Sequence, residues 1–192
     1  MPTLLRPPYQ LDINPNALAA RPDLAAKIGI IAALWSRVEM WLGVILGDLL
    51  GTEPKFGLAM YFAIVSTSAR MDTIAAVASE RLDPAMMIEF EKLLKTIRAR
   101  ARERNRIVHS NWGISKKHSN AIVSVATDDH VRFWHIASRE FQDSDRSLSN
   151  WEDSIWRSLK PTAYIMADFE TIINRLNDLI SVLEEFRKTI PR

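Results

Sequence analysis

Between Pro22 and Leu50 the chain carries one broad apolar stripe: Leu24, Ile28, Ile31, Leu34, Trp35, Val38, Leu42, Ile45, Leu46 and Leu49. The steps of three and four residues predict a helix, and a stripe this broad predicts one covered on several sides, at the centre of a helical bundle. Arg37, Glu39 and Asp48 interrupt the run, so it reads as a core helix rather than a membrane span. Gly51 is its expected stop. A helix of this kind constrains the rest of the chain, because something must cover it.

The sequence supplies candidates. Pro54 opens a second helical stretch, expected to run to about Leu82, whose small residues (Ala59, Ala63, Ser66, Ala75 among them) would let helices approach closely. Asp83-Pro84 reads as an N-cap and a first-turn proline for a third helix ending near His109. A last helix spans about Met166 to Thr189; Phe169, Ile172, Leu176, Leu179, Leu183 and Phe186 form its seam. Between the third and last helices, Trp112–Lys117, Ala121–Thr127 and His130–Ile136 are short and rich in β-branched and aromatic residues, with Lys117–Asn120 and Asp128-Asp129 as turns. Trp151–Leu159 predicts a short amphipathic helix stopped by Pro161. Four of the nine prolines fall within residues 1–20, which therefore read as an extended arm. The expected fold is mainly α: a four-helix up-down bundle over residues 21–192 as one domain, with a small antiparallel β-meander (111–137) inserted before the last helix.

The absence of cysteine excludes disulfides, thiol nucleophiles and cysteine-based zinc sites, and leaves the cytoplasm as the expected compartment. The formal net charge is only +2, so any affinity for nucleic acid must come from a local patch. The N-terminal residues lack a basic start followed by an apolar core, so no secretory signal is expected.

That local patch closes the third helix. Arg98, Arg100, Arg102, Arg104 and Arg106 lead into Arg104-Asn105-Arg106-Ile107-Val108-His109. Arg104, Asn105 and His109 supply a cation, a neutral hydrogen bonder and a titratable imidazole, the groups needed to hold a phosphodiester and move a proton near neutral pH. On an ideal helix Asn105 and His109 share a face, whereas Arg104 and His109 lie roughly 140° apart. Either Arg104 reaches around, or the helix ends before His109, or a second subunit completes the pair. The other arginines wind around the helix rather than form one stripe, so some face protein and others face solvent or a partner. The dipole at a helix C-terminus repels phosphate, so the arginines must supply the attraction.

The R-N-x-x-x-H string at the end of a long helix in an all-helical frame resembles the HEPN superfamily (higher eukaryotes and prokaryotes nucleotide-binding). Trp35-Ser-Arg-Val-Glu39-Met-Trp-Leu42 is similar to the acidic segment of the first helix in many such proteins. The resemblance covers residues 20–112 and the final helix. It implies a metal-independent endoribonuclease, expected to act as a toxin or antiviral defence effector, in which the RNA's own 2′-hydroxyl attacks the neighbouring phosphorus and leaves a cyclic phosphate. It also implies a two-fold homodimer with facing motifs. His109 would move protons, Arg104 would stabilise charge on the phosphorane, and Asn105 would hydrogen-bond the imidazole or the RNA. Arg98, Arg100, Arg102 and Arg106 would hold the RNA backbone. A neutralising or activating protein is the further partner expected of a toxin or effector; no cofactor, metal or membrane is expected. The competing reading is a catalytically inactive HEPN-like module that binds RNA, nucleotide or a protein.

Glu39 sits among apolar residues and is expected to be a buried ion-pair partner, preferably of an arginine in the third helix. His118, His130 and His135 show no metal-ligand spacing and read as structural or surface residues. Trp112 and Trp134 are able to stack bases, but packing the strands is their expected use.

Overall fold

The computed structural model describes residues 1–6, 11–14, 16–142 and 159–191. The fold is mainly helical, with six α-helices and a five-stranded antiparallel sheet among the described residues. The helices are α1 (Pro22–Leu49), α2 (Pro54–Ala63), α3 (Thr67–Arg81), α4 (Pro84–Val108), α5 (Thr127–Gln142) and α6 (Met166–Thr189). The strands are β1 (Thr3–Leu4), β2 (Leu11–Ile13), β3 (Ser110–Ser115), β4 (Ile122–Ala126) and β5 (Thr162–Tyr164). The chain divides into two compact units: Met1–Ile30 with Asn105–Ile172, and Ile31–Arg104 with Ile173–Arg192.

The second unit is all helical. Its core takes Ile31, Trp35, Leu42 and Ile45 from α1, Ile74 from α3, Phe90 and Ile97 from α4, and Leu183 from α6. Phe90 stacks on Phe186 with ring centroids 5.1 Å apart. Helix α1 passes the length and hydropathy test for a membrane span, yet Leu24, Ile31, Val38, Leu42, Ile45 and Leu46 are fully buried within the protein. Of the small residues expected to permit close packing, Ala78 is fully buried, but several others are not. Ala59 and Ala63 are exposed, and the close approach is at Gly57, where a methyl group would collide with the backbone of Gly43 and Gly47.

The second predicted helix is in fact two. Ile64 and Ser66 take extended backbone conformations between α2 and α3. Ser66 Oγ accepts from Ala69 N at 3.4 Å and restarts the helix, while Arg70 Nε donates to the freed Ile64 carbonyl at 2.7 Å. Val-Ser-Thr-Ser at positions 65–68 favours this: hydroxyl side chains bond the local backbone and compete with helix continuation.

The first unit is built on the sheet, ordered β1-β5-β4-β3-β2. Its centre, β3 against β4, matches the first two predicted strands. Residues 130–136, expected as the third strand, are helical and belong to α5. Thr127 followed by Asp128 and Asp129 is a helix start, a hydroxyl and two acids at the positive end of the dipole, not a turn. The neighbour of β4 is instead β5, whose Ala163 pairs with Val123. The sheet is therefore not a meander confined to 111–137. Part of the expected arm joins it, with β1 on β5 at one edge and β2 on β3 at the other. One face packs Ala121, Val123, Val125 and Ala163 with Leu5, Leu159 and Phe133 of α5. Trp112 and Tyr164 pack with Phe169 of α6, at centroid distances of 5.9 and 6.3 Å from Trp112 to the two rings. The amphipathic helix expected at Trp151–Leu159 lies, except for Leu159, outside the described residues.

Candidate functional site at the end of helix α4

The end of α4 is defined by its hydrogen bonds. His109 N donates to Asn105 O at 3.0 Å, so His109 keeps the helical register one residue beyond Val108. The helix thus ends at Val108, one residue before His109, while the His109 amide stays in register. Asn105 and His109 are both exposed, one turn apart on one face. No described group hydrogen-bonds the His109 imidazole.

The last carbonyls of a helix lack intrahelical partners, and two hydroxyls from unit 1 satisfy them here. Ser110 Oγ donates to Arg106 O, and Thr127 Oγ1 donates to His109 O at 2.6 Å. Ser110 and Ser124 hydroxyls lie 2.6 Å apart. A hydroxyl has one proton; that of Ser110 goes to the Arg106 carbonyl, so Ser124 is the donor to Ser110. This ties the helix end to β4 and to the first turn of α5 and fixes the backbone that carries His109.

Arg104 occupies a different position. It is half-buried, with Nε shielded from solvent. With α4 regular to Val108, Arg104 projects roughly 140° around the helix from His109. The helix therefore brings Asn105 and His109 together, and does not set Arg104 beside them.

The other arginines divide. Arg98 pairs with Asp72 at 2.7 Å. Arg100 pairs with Glu103, which also meets Arg175 at 3.4 Å; that carboxylate neutralises much of the Arg100 charge within the protein. Arg102 and Arg106 are exposed and form no ion pair among the described residues.

Glu39 is in an ion pair, as expected, but its partner is Arg70 of α3 at 2.7 Å rather than an arginine of α4. The Arg70 guanidinium lies 4.9 Å from the Tyr61 ring centroid and 5.4 Å from that of Phe62. Arg70 is thus held by a carboxylate, a backbone carbonyl and two ring faces, which leaves it little freedom. The Tyr61 hydroxyl is buried, and among the described residues no group meets it in good hydrogen-bond geometry, although the nearby Arg70 guanidinium opposes part of the effect of burial. Burial first, and then the Glu39 charge, push its pKa upward, so the phenol stays neutral.

His118 closes the short 3₁₀ turn Lys116–His118. His130 Nε2 accepts from Trp134 Nε1 at 3.0 Å, and His135 is exposed. Trp112 packs as expected; Trp134 does not, being 61% exposed on α5. No cluster of three His, Asp or Glu side chains suited to a metal occurs among the described residues.

Sequence reasoning missed Arg70, Ser124 and Thr127. Arg70 and Thr127 had readable local signals, a cation after a Ser/Thr run and a hydroxyl before two acids. Ser124 had none, because its role depends on strand pairing. Comparison with protein-family models, with curated proteins and with solved structures finds no match in any of the three.

Proposed function

We propose that this protein is a metal-independent endoribonuclease of HEPN type that acts as a toxin or antiviral defence effector on cellular RNA. The observation that carries the reading is the pairing of an exposed His109 imidazole, which no described group hydrogen-bonds, with Asn105 one turn earlier on a fixed helix end. His109 is free to exchange protons with a 2′-hydroxyl or a leaving 5′-oxygen, and Asn105 is placed to orient it or to bond the substrate. In this reading α1, the α2–α3 pair, α4 and α6 make the up-down bundle that the resemblance implies.

The geometry of Arg104 bears on mechanism. Within one chain it lies around the helix from His109, so a homodimer with facing motifs is the arrangement in which Arg104 of one subunit meets the phosphate handled by His109 of the other. Two histidines also divide the work of base and acid, which one does poorly alone.

The half-buried Arg104 favours the second reading, an inactive module that binds RNA, nucleotide or a protein. The experiment that separates them is incubation of purified protein with total RNA in chelator, with end-group analysis. Fragments with 2′,3′-cyclic phosphate ends are expected. Intact RNA bound to the protein would favour the inactive module.

A further inference from the structure

Helices α3 and α4 enclose a groove of about 420 Å³ lined by Ala75, Met87, Glu91, Leu94, Lys95, Arg98 and Arg102. Its chemistry is divided. Half-buried Ala75 and Met87, over the buried Leu94, offer an apolar floor, whereas Lys95, Arg98 and Arg102 follow one another along α4 at steps of three and four residues, with one acid, Glu91, a turn before Lys95. At roughly 1.5 Å of rise per residue these cations stand about 4.5 and 6 Å apart along the axis, within roughly 60° of one another around it. That is a ladder of positive charge at the pitch of successive phosphates in an extended strand, beside a surface that accepts the flat face of a base. Arg100, directed away and held by Glu103, is not part of it.

We infer that this α3–α4 groove is a binding track for single-stranded RNA, with Lys95, Arg98 and Arg102 on the phosphates and the Ala75–Met87–Leu94 floor under the bases. The choice of RNA over another polyanion rests on the ribonuclease reading above. A cationic groove that tracks the backbone beside a platform for the bases is the arrangement by which proteins hold single strands without reading sequence; the usual platform is aromatic, and here it is aliphatic, chiefly Met87. Duplex buries its base faces in its own stack and gains nothing from the floor. Apart from the Glu91 carboxylate, which can accept from a base amino group, the lining offers no neutral polar side chain to read base edges, so binding is largely sequence-tolerant.

Asp72 sets the strength of the track. It holds Arg98 at 2.7 Å, with both side chains substantially exposed, 45% for Arg98 and 63% for Asp72. An exposed pair of this kind is weak, and a phosphate displaces the carboxylate at small expense. Removing the acid therefore strengthens binding by more than the added unit of charge alone would, which a merely structural ion pair would not give.

The test uses a labelled single-stranded 2′-O-methyl oligoribonucleotide, which cannot be cleaved by 2′-hydroxyl attack, in chelator, followed by fluorescence anisotropy across a salt series. Lys95→Glu with Arg102→Glu is expected to weaken binding by about tenfold or more and to lower the salt slope by about two. Asp72→Asn is expected to tighten it by about two- to fivefold. Lys55→Glu with Lys188→Glu, outside the groove, controls for net charge and should have the effect of charge alone. If the double reversal perturbs folding by circular dichroism, Lys95→Gln with Arg102→Gln takes its place. The track is wrong if the double variant weakens binding no more than two charge reversals elsewhere, if Asp72→Asn does not tighten it, or if a duplex of the same sequence binds as well. A wild-type protein that binds as described yet cleaves no RNA supports the track and removes the nuclease; cleavage with a groove indifferent to these variants does the reverse.

Discussion

His109 and Arg104 are five residues apart in sequence, and helix α4 gives them different surroundings. An imidazole in open solvent and a guanidinium half-enclosed by protein call for different tests. Asn105→Ala removes an exposed side chain that has interactions of its own, so a stability loss of about 1 kcal/mol is expected with the fold intact. If Asn105 orients the imidazole, cleavage should fall by about tenfold to a hundredfold, as measured under single-turnover conditions. For Arg104 the dimer makes a sharper test. Mixed dimers of His109→Ala and Arg104→Ala subunits should recover part of the activity that both parents lack, because one of the two composite sites is then whole. No recovery above the parents would mean that each chain works alone. Glu39 belongs to a different class. Its bond to Arg70 is largely buried, with 17% and 14% exposure for the two side chains, so Glu39→Gln should destabilise the protein by about 1–3 kcal/mol, below the range for a fully buried pair. Urea denaturation reads that loss, and cleavage by the folded variant should be unchanged.

Helix boundaries are the part of the structure the sequence states most openly. Pro22, Pro54 and Pro84 mark starts, the periodic apolar positions mark faces, and α1, α4 and α6 fall where those signals place them. The break between α2 and α3 was hidden because apolar spacing continues across it; only the hydroxyl run at Ser66–Ser68 marks the capping that interrupts it. Residues 130–136 alternate well enough to resemble a strand, and the deciding signal, Thr127-Asp128-Asp129, lay just upstream. Strand β5 has three residues, too few to show a period, and owes its place to pairing with β4. The contiguous motif was legible for the same reason the helices were, since local spacing fixes it; its supports, Ser124 and Thr127, depend on chain segments that meet only after folding. At this scale Gly57 makes the firmest expectation. Gly57→Ala places a methyl against the Gly43 and Gly47 backbone, which cannot yield as a flexible side chain does. A loss of about 1–3 kcal/mol is expected, read as a lower urea midpoint. An unchanged midpoint would mean that α1 and α2 are not packed backbone to backbone.

For the whole molecule, a formal charge of +2 means that long-range attraction for RNA is weak and local cations decide. Association should therefore fall steeply with salt even though the protein is nearly neutral. The shared-site mechanism also requires a second subunit, so sedimentation at micromolar concentration should show a dimer, and a strictly monomeric species would leave Arg104 without a role in the reaction. The most direct measurement is the rate at which wild type and His109→Ala cleave one oligoribonucleotide in chelator, alongside the same strand with a single deoxyribose at the cut position. The expected result is a loss of about a hundredfold or more for His109→Ala with the fold intact, no effect of chelator, and resistance of the deoxy-substituted strand, which lacks the nucleophile. Cleavage by His109→Ala at the wild-type rate, or of the deoxy strand as fast as the ribose one, would contradict it.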